Sequence, residues 1–281
     1  MGETAAFKLS FMSWLKPDAQ LPELVDLAVR YGYQAIEPRV GSGHAHGIEL
    51  STAAESLWDV RRAFEDSALE LSCLATGLSF ATADAEERAK NVEELKHFVE
   101  LADTVGAPCV RIFGGSMPDG TETAGVVDYV SDALADAVAH AENYNAVILI
   151  ETHDDFVRTN LVREVVKQVY SEKLGVCWDV AHPVRALETL EESYDNISGS
   201  VRHVHVHDYV YSDGRTKIEH APLGEGFVDY ARAMEMLAHD FFEGYLSVEV
   251  MNQNPDAVLP QYAEKMKAYV EALTAGAEES E

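Results

Sequence analysis

Short apolar runs alternate with longer stretches whose apolar positions recur at helical spacing along the whole chain. The strand-like runs are FKLSFM (7–12), QAIEP (34–38), ELSCLAT (70–76) and PCVRIF (108–113), then AVILIE (146–151), LGVCWD (174–179), VRHVHVH (201–207) and GYLSVEV (244–250). Between them, segments such as 85–106 and 123–144 carry helical stripes. In the second, Val126, Val127, Val130, Leu134, Val138 and Ala141 share one face. Gly106, Gly175 and Gly244 are expected in the turns that lead from helix to strand. Eight such alternations call for parallel strands joined by right-handed crossovers, closing as an α/β (β/α)8 TIM barrel of one domain. The competing architecture is an open doubly wound sheet, but no GxGxxG follows the first strand. The barrel is expected over residues 1–274, and AGAEESE (275–281) as an acidic disordered tail.

Composition narrows the setting. The chain has 281 residues, 47% of them hydrophobic, enough for a sizeable core. No long apolar run suggests a membrane span, and MGETAAFKLSFMSW lacks the basic start and apolar core of a signal peptide. A cytoplasmic location is therefore expected. Cys73, Cys109 and Cys177 sit in apolar runs without CxxC spacing and read as buried reduced thiols. Lys and Arg number 21 against 49 Asp and Glu, a net charge of −28. Such a surface repels phosphate backbones and anionic membranes, so neither nucleic acid nor membrane is an expected partner. The acids are spread over helix faces, a pattern that fits halophilic adaptation: at about 1 M salt the screening length falls to roughly 3 Å.

The chemistry sits at the strand ends, where barrel enzymes collect it. In VRHVHVHDY, His203, His205 and His207 alternate with Val204 and Val206, so the imidazoles share one face of a strand. A half-buried surface strand alternates in the same way, so the other strand ends decide. These bring Glu37 and Arg39 after strand two, Arg111 on strand four, Glu151 and His153 after strand five, Asp179 and His182 after strand six, Asp208 after strand seven and Glu249 on strand eight. A lone acid there, Asp179 for example, reads equally as a helix N-cap. Converging acids are another matter. Two carboxylates about 4 Å apart repel by roughly 4 kcal/mol at an effective dielectric of 20, so three together need a cation or protons. Glu151, Asp179, Glu249 and His205 form an oxygen-rich set without thiolate, suited to a divalent metal such as Mn²⁺, Mg²⁺ or Co²⁺. His203 reads as a hydrogen-bonded core histidine, and Asp208 as a cap or a partner that orients a ligand histidine.

These motifs resemble the xylose isomerase-like barrel superfamily, the sugar isomerase and epimerase group that also contains AP endonucleases. ILIETHDDF is similar to its strand-five glutamate motif, GVCWDVAHP to its D-x-x-H motif, HVHVHD to H-x-K/N-D, PLGEGFVDY to its L-G-E-G loop, and YLSVEVM to the segment with the last ligand. The resemblance implies a metal held by Glu151, Asp179, His205 and Glu249. It further implies that Glu151 and Glu249 are the catalytic acid and base on opposite sides of a keto sugar, transferring a proton through a metal-stabilised enediolate. His182, Arg111, His207, Glu37 and His153 are then assigned to the substrate, with Arg39 in a lesser role. The sequence departs from the family pattern at His207, where many relatives carry lysine or asparagine.

Four functions compete. The first is a metal-dependent isomerase or epimerase of a small sugar or keto sugar. The second is a lyase of the same superfamily, a dehydratase of ketoinositol or dehydroshikimate type, which needs the same base and metal. The third is a ligand-binding barrel without catalysis, against which the paired glutamates argue. The fourth, an AP endonuclease, lacks support where Ile218 stands in place of an aspartate and strand three supplies no histidine. His44 and His46 in GSGHAHG could supply histidines for it, but that loop reads equally as a glycine-rich lid. A phosphorylated substrate is disfavoured by the absence of a glycine-rich cradle, with Arg215 and Lys217 as the cations nearest to one. Barrels of this group often pair, so a homo-oligomer is compatible with the sequence.

Overall fold

The computed structural model describes residues 7–215 and 217–278. Nine parallel strands make one sheet: β1 (Lys8–Met12), β2 (Ala35–Glu37), β3 (Glu70–Leu71), β4 (Leu74–Ser79), β5 (Cys109–Phe113), β6 (Val147–Glu151), β7 (Leu174–Asp179), β8 (Val201–Val206) and, after a hairpin, Tyr245–Val248. That hairpin, β9 (Asp208–Ser212) with β10 (Lys217–Ala221), is antiparallel, so Tyr245–Val248 is β11. The helices are α1 (Leu21–Tyr31), α2 (Ala54–Ser67), α3 (Ala85–Val105), α4 (Thr123–Ala141) and α5 (Thr159–Val169). There follow α6 (Ala181–Arg185), α7 (Leu190–Ile197), α8 (Tyr230–His239) and α9 (Pro255–Glu278).

The sheet runs β3-β2-β1-β11-β8-β7-β6-β5-β4, and its two edges meet. Past the end of β2, Arg39 bridges Ala75 of β4; the Val40 N–H donates to the Ala75 carbonyl and the Ala75 N–H to that of Pro38, both at 2.9 Å. The fold is a nearly closed TIM barrel of one domain. Its third strand is not the single run 70–76 expected from sequence. The segment is interrupted between Leu71 and Leu74: β3 pairs with β2 and β4 with β5, while Ala75 of β4 still reaches the chain just past β2, so one position of the barrel holds two short strands.

Helix packing follows the sequence pattern. Val126, Val127, Val130, Leu134, Val138 and Ala141 of α4 are all buried against the barrel. Gly106 ends α3 in the left-handed conformation at φ 83°. Gly175 is not in a turn: it lies inside β7, where a Cβ would come within 2.9 Å of the Leu149 side chain. On β8, Val204 and Val206 face the helices while His203 and His205 face the barrel interior, and all four are buried. Both faces are covered, as a parallel strand requires, so the half-buried surface reading of this strand does not hold. α9 continues to Glu278, into the segment expected as a tail, of which 279–281 lie outside the described residues.

Candidate metal centre at the barrel mouth

Strand register brings the acids together. Asp179 ends β7 directly beside His205 of β8, and Glu151 ends β6. Glu249 lies one residue past β11, its N–H donating to the Val206 carbonyl at 3.2 Å. Glu151, Asp179, His205 and Glu249 each offer an atom to a group whose members lie within 4.8 Å of one another. His205 Nδ1 stands between the two glutamates, 3.4 Å from Glu151 Oε1 and 3.1 Å from Glu249 Oε2. Among the described residues, those three atoms and Asp179 Oδ2 are buried without a hydrogen-bond partner. Buried polar atoms are seldom left so, and four facing one another are what a cation would satisfy. The donor set thus fits a divalent metal, three carboxylates offsetting its charge.

The Asp179 carboxylate is held from behind. Asp179 Oδ1 accepts from the Ala181 and His182 N–H groups at 2.9 Å each, so this carboxylate caps α6 with one oxygen and leaves the other free. Thr152 Oγ1 accepts from the Asp179 N–H at 2.9 Å and donates to its carbonyl. Burial alone would raise the Asp179 carboxyl, but the His182 and His207 imidazoles outweigh it and bring it down to about 2. Burial would likewise raise Glu249, and His205 holds it well below the usual range. Burial disfavours a charged His205, yet Cys177, Glu37, Glu249 and Glu151 together push its pKa well above the ordinary value.

The residues assigned to substrate fall in two groups. Glu37 lies behind the metal-facing side of His205, fully buried, and accepts from His205 Nε2 at 3.0 Å and His203 Nε2 at 2.9 Å. Arg111 is also fully buried, with Nε 2.8 Å from Glu151 Oε2 and its guanidinium 4.1 Å above the Phe113 ring. The others face the mouth. His153, His182 and His207 form a row, with ring centroids 4.6 and 5.0 Å apart in turn. His207 Nε2 comes within 2.6 Å of Asp179 Oδ2, and His182 Nδ1 within 3.5 Å of it. Burial lowers the His182 pKa to about 4. Arg39 binds the Val40 and Ala75 carbonyls, and burial with the nearby Arg111 lowers it to about 10.

Asp208, expected as a cap or as a partner orienting a ligand histidine, takes the first role, while the hairpin beyond it went unread in the sequence. Asp208 organises the L-G-E-G turn: its carboxylate accepts from the backbone N–H of Tyr209, Gly224, Gly226 and Val228. The hairpin β9–β10 places Tyr209 over the mouth, its hydroxyl 3.1 Å from His207 Nδ1. The Asp213–Gly214 pair between alternating apolar residues was the available hairpin signal. His44 and His46 stand apart from these clusters, tied to Ser13 Oγ and the Arg39 carbonyl.

The chain belongs to the xylose isomerase-like TIM barrel family, whose model matches residues 25–273. It is 27% identical to an uncharacterized protein of Methanocaldococcus jannaschii over 213 residues, 73% of this chain and 70% of that one. It is 24% identical to a probable endonuclease 4 of Halobacterium salinarum over 223 residues, 73% of this chain and 74% of that one. Among solved structures, L-ribulose 3-epimerase superposes with a TM-score of 0.80 at 14% identity, covering 97% of each chain. The IOLI protein with a bound zinc atom gives 0.79 at 20% identity, over 96% of this chain and 99% of that one. A probable 3-DHS dehydratase of Bacillus anthracis gives 0.77 at 17% identity, over 93% and 99%. At these identities the structures speak for the fold alone. No helix among the described residues is long and apolar enough to cross a membrane.

Proposed function

We propose that this protein is a divalent-metal-dependent isomerase or epimerase of a small sugar or keto sugar. One observation carries the reading: four unpartnered buried donor atoms, from Glu151, Asp179, His205 and Glu249, face one another at the mouth of the barrel. Those residues hold the metal, which when bound supplies Lewis-acid polarisation of a substrate carbonyl. Glu151 and Glu249 reach in from either side of His205. One of them takes the proton from the carbon next to the carbonyl, and the other returns a proton to the opposite face. Arg111 fixes the Glu151 carboxylate, while His153 and His182 at the mouth bind substrate hydroxyls. A dehydratase of dehydroshikimate type would want a free guanidinium for its substrate carboxylate; Arg111 is already engaged by Glu151, which weighs against that type. The −28 charge and the absence of histidines on strand three weigh against a nuclease, despite the Halobacterium salinarum relative.

The test is proton NMR of the Mg²⁺-loaded protein in high-salt D₂O with a panel of ketoses, aldoses and ketoinositols. Deuterium at the carbon beside the carbonyl, together with an epimeric or isomeric product, is the expected result. Loss of water from a substrate would turn the assignment to a lyase. Metal uptake without exchange or product across the panel would overturn it.

A further inference from the structure

A cavity of about 180 Å³ lies beside the metal centre, between the end of β10 and the first turns of α9. Val250, one residue past Glu249, lines it together with Ala221, Val258 and Tyr262, all four buried. The exposed His220, Gln253 and Ala257 line it as well, so it opens to solvent. The His220 ring links the cavity to the site: it lies 4.7 Å from the Tyr209 ring and 5.8 Å from that of His207, whose Nε2 is 2.6 Å from Asp179 Oδ2. We infer that this cavity receives an apolar substituent of the substrate, about the size of a six-membered ring, so that the substrate is a substituted sugar and not a free one.

Size, lining and position all bear on the occupant. An apolar cavity of about 150 Å³ is large enough to take benzene. Two polar side chains that line this one are already engaged. Gln261 Oε1 accepts the Leu223 N–H at 3.1 Å while its Nε2 donates to the Leu223 carbonyl at 3.0 Å, and the Tyr262 hydroxyl is directed at the Ala221 carbonyl at 3.5 Å. A charged or hydroxyl-rich group would give up water here without gaining partners, whereas an apolar ring gains by leaving water. Position supplies the connection. A sugar handled by Glu151 and Glu249 lies against the chain where it passes from Glu249 to Val250, and a group carried on that side reaches the cavity past His220. The inference rests on the sugar reading for which molecule is bound, and adds what that molecule carries.

Equilibrium binding separates this inference from the proposed function. Mg²⁺-loaded full-length protein, with ¹³C-labelled valine methyl groups, is titrated in high-salt buffer with matched phenyl and methyl glycosides of a panel of hexoses and pentoses. The titrations are repeated with Ala257→Trp, which fills the cavity from an exposed position in the first turn of α9, with circular dichroism as a check on folding. For at least one sugar the phenyl member should bind about 10- to 100-fold more tightly than the methyl member, with shifts at the Val250 and Val258 methyls. That advantage should vanish in Ala257→Trp while methyl-glycoside and metal affinity stay unchanged. Equal affinities within every pair, or no binding by any pair, overturn the inference. A phenyl advantage that survives in Ala257→Trp seats the ring elsewhere and overturns it too. A phenyl advantage lost in Ala257→Trp, without deuterium exchange into any sugar, supports the subsite and overturns only the isomerase reading. If Ala257→Trp does not fold, Gln253→Trp is measured in its place.

Discussion

Glu37 Oε1 lies 3.0 Å from His205 Nε2, while Nδ1 of the same ring faces the cluster of acids. A carboxylate behind a metal-facing imidazole fixes the ring's orientation and raises its basicity as a ligand. The same carboxylate also receives His203 Nε2 at 2.9 Å, so two rings on β8 depend on one acid of β2. Its pKa would rise on burial, but the two imidazoles hold it far below the usual range. Glu37→Gln should lower metal affinity by about 10- to 100-fold, read by competition with a chelator. Undiminished affinity would leave His205 oriented by something else.

Glu249→Gln keeps an oxygen donor at the mouth and removes a base. Deuterium exchange into substrate should fall by about 10²- to 10⁴-fold, the usual contribution of a positioned acid or base. An exchange rate equal to wild type would move the proton transfer to another residue.

Arg111 and Glu151 are fully buried and 2.8 Å apart. Removing one partner of a buried ion pair strands the other's charge, at a cost of about 3–5 kcal/mol. Arg111→Met should lower the metal-free unfolding free energy by that amount in chemical denaturation. A loss below about 1 kcal/mol, in the range of exposed pairs, would mean the pair adds little.

Much of this was legible in the sequence, and the rest was not for identifiable reasons. Period-two alternation in HVHVH and terminal acids on successive strands are local signals, so the order of strands and the convergence of Glu151, Asp179, His205 and Glu249 could be read directly. Glu37 was also found as a strand end, but its engagement with His203 and His205 joins β2 to β8 across the barrel interior, a contact no local pattern encodes. Arg111 read as a free cation because its partner, Glu151, lies on the neighbouring strand. The break at Ser72 escaped because ELSCLAT has uniform strand character, and nothing local marks where its pairing with β2 is interrupted before Ala75 meets Arg39.

His46 pins the loop that follows β2. Its Nε2 donates to the Arg39 carbonyl at 3.1 Å and its Nδ1 accepts the Ile48 N–H at 3.0 Å, which requires the neutral ring. Burial lowers its pKa from 6.5, partly offset by the Arg39 carbonyl and Glu49, and the His44 ring lies 5.8 Å away. With the folded pKa below the unfolded one, the stabilisation is complete above pH 6.5 and is lost as pH falls toward the folded value. The slope is at most about 1.4 kcal/mol per pH unit. Wild type should lose stability relative to His46→Gln between those two values in urea titrations. Parallel curves would show that the ring's protonation does not matter to folding.

The net charge of −28 sets a final expectation. Many of the 49 acids are exposed on helices, including Glu86 and Glu87 of α3 and Glu191 of α7, against only 21 Lys and Arg. Ion pairs that form there, such as Arg62 with Asp59 and Arg232 with Glu191 and Glu235, are exposed, and with 21 Lys and Arg against 49 acids they neutralise only part of the excess. Exposed pairs of this kind contribute about 0–1 kcal/mol each, so they cannot offset repulsion spread over the whole surface. Shortening the screening length from about 10 Å at 0.1 M to about 3 Å at 1 M removes most of that repulsion. The melting temperature should therefore rise steadily with KCl over this range, and continued gain above 1 M would point to ion binding or salting-out beyond screening. A melting temperature independent of salt would sink the halophilic reading of the surface.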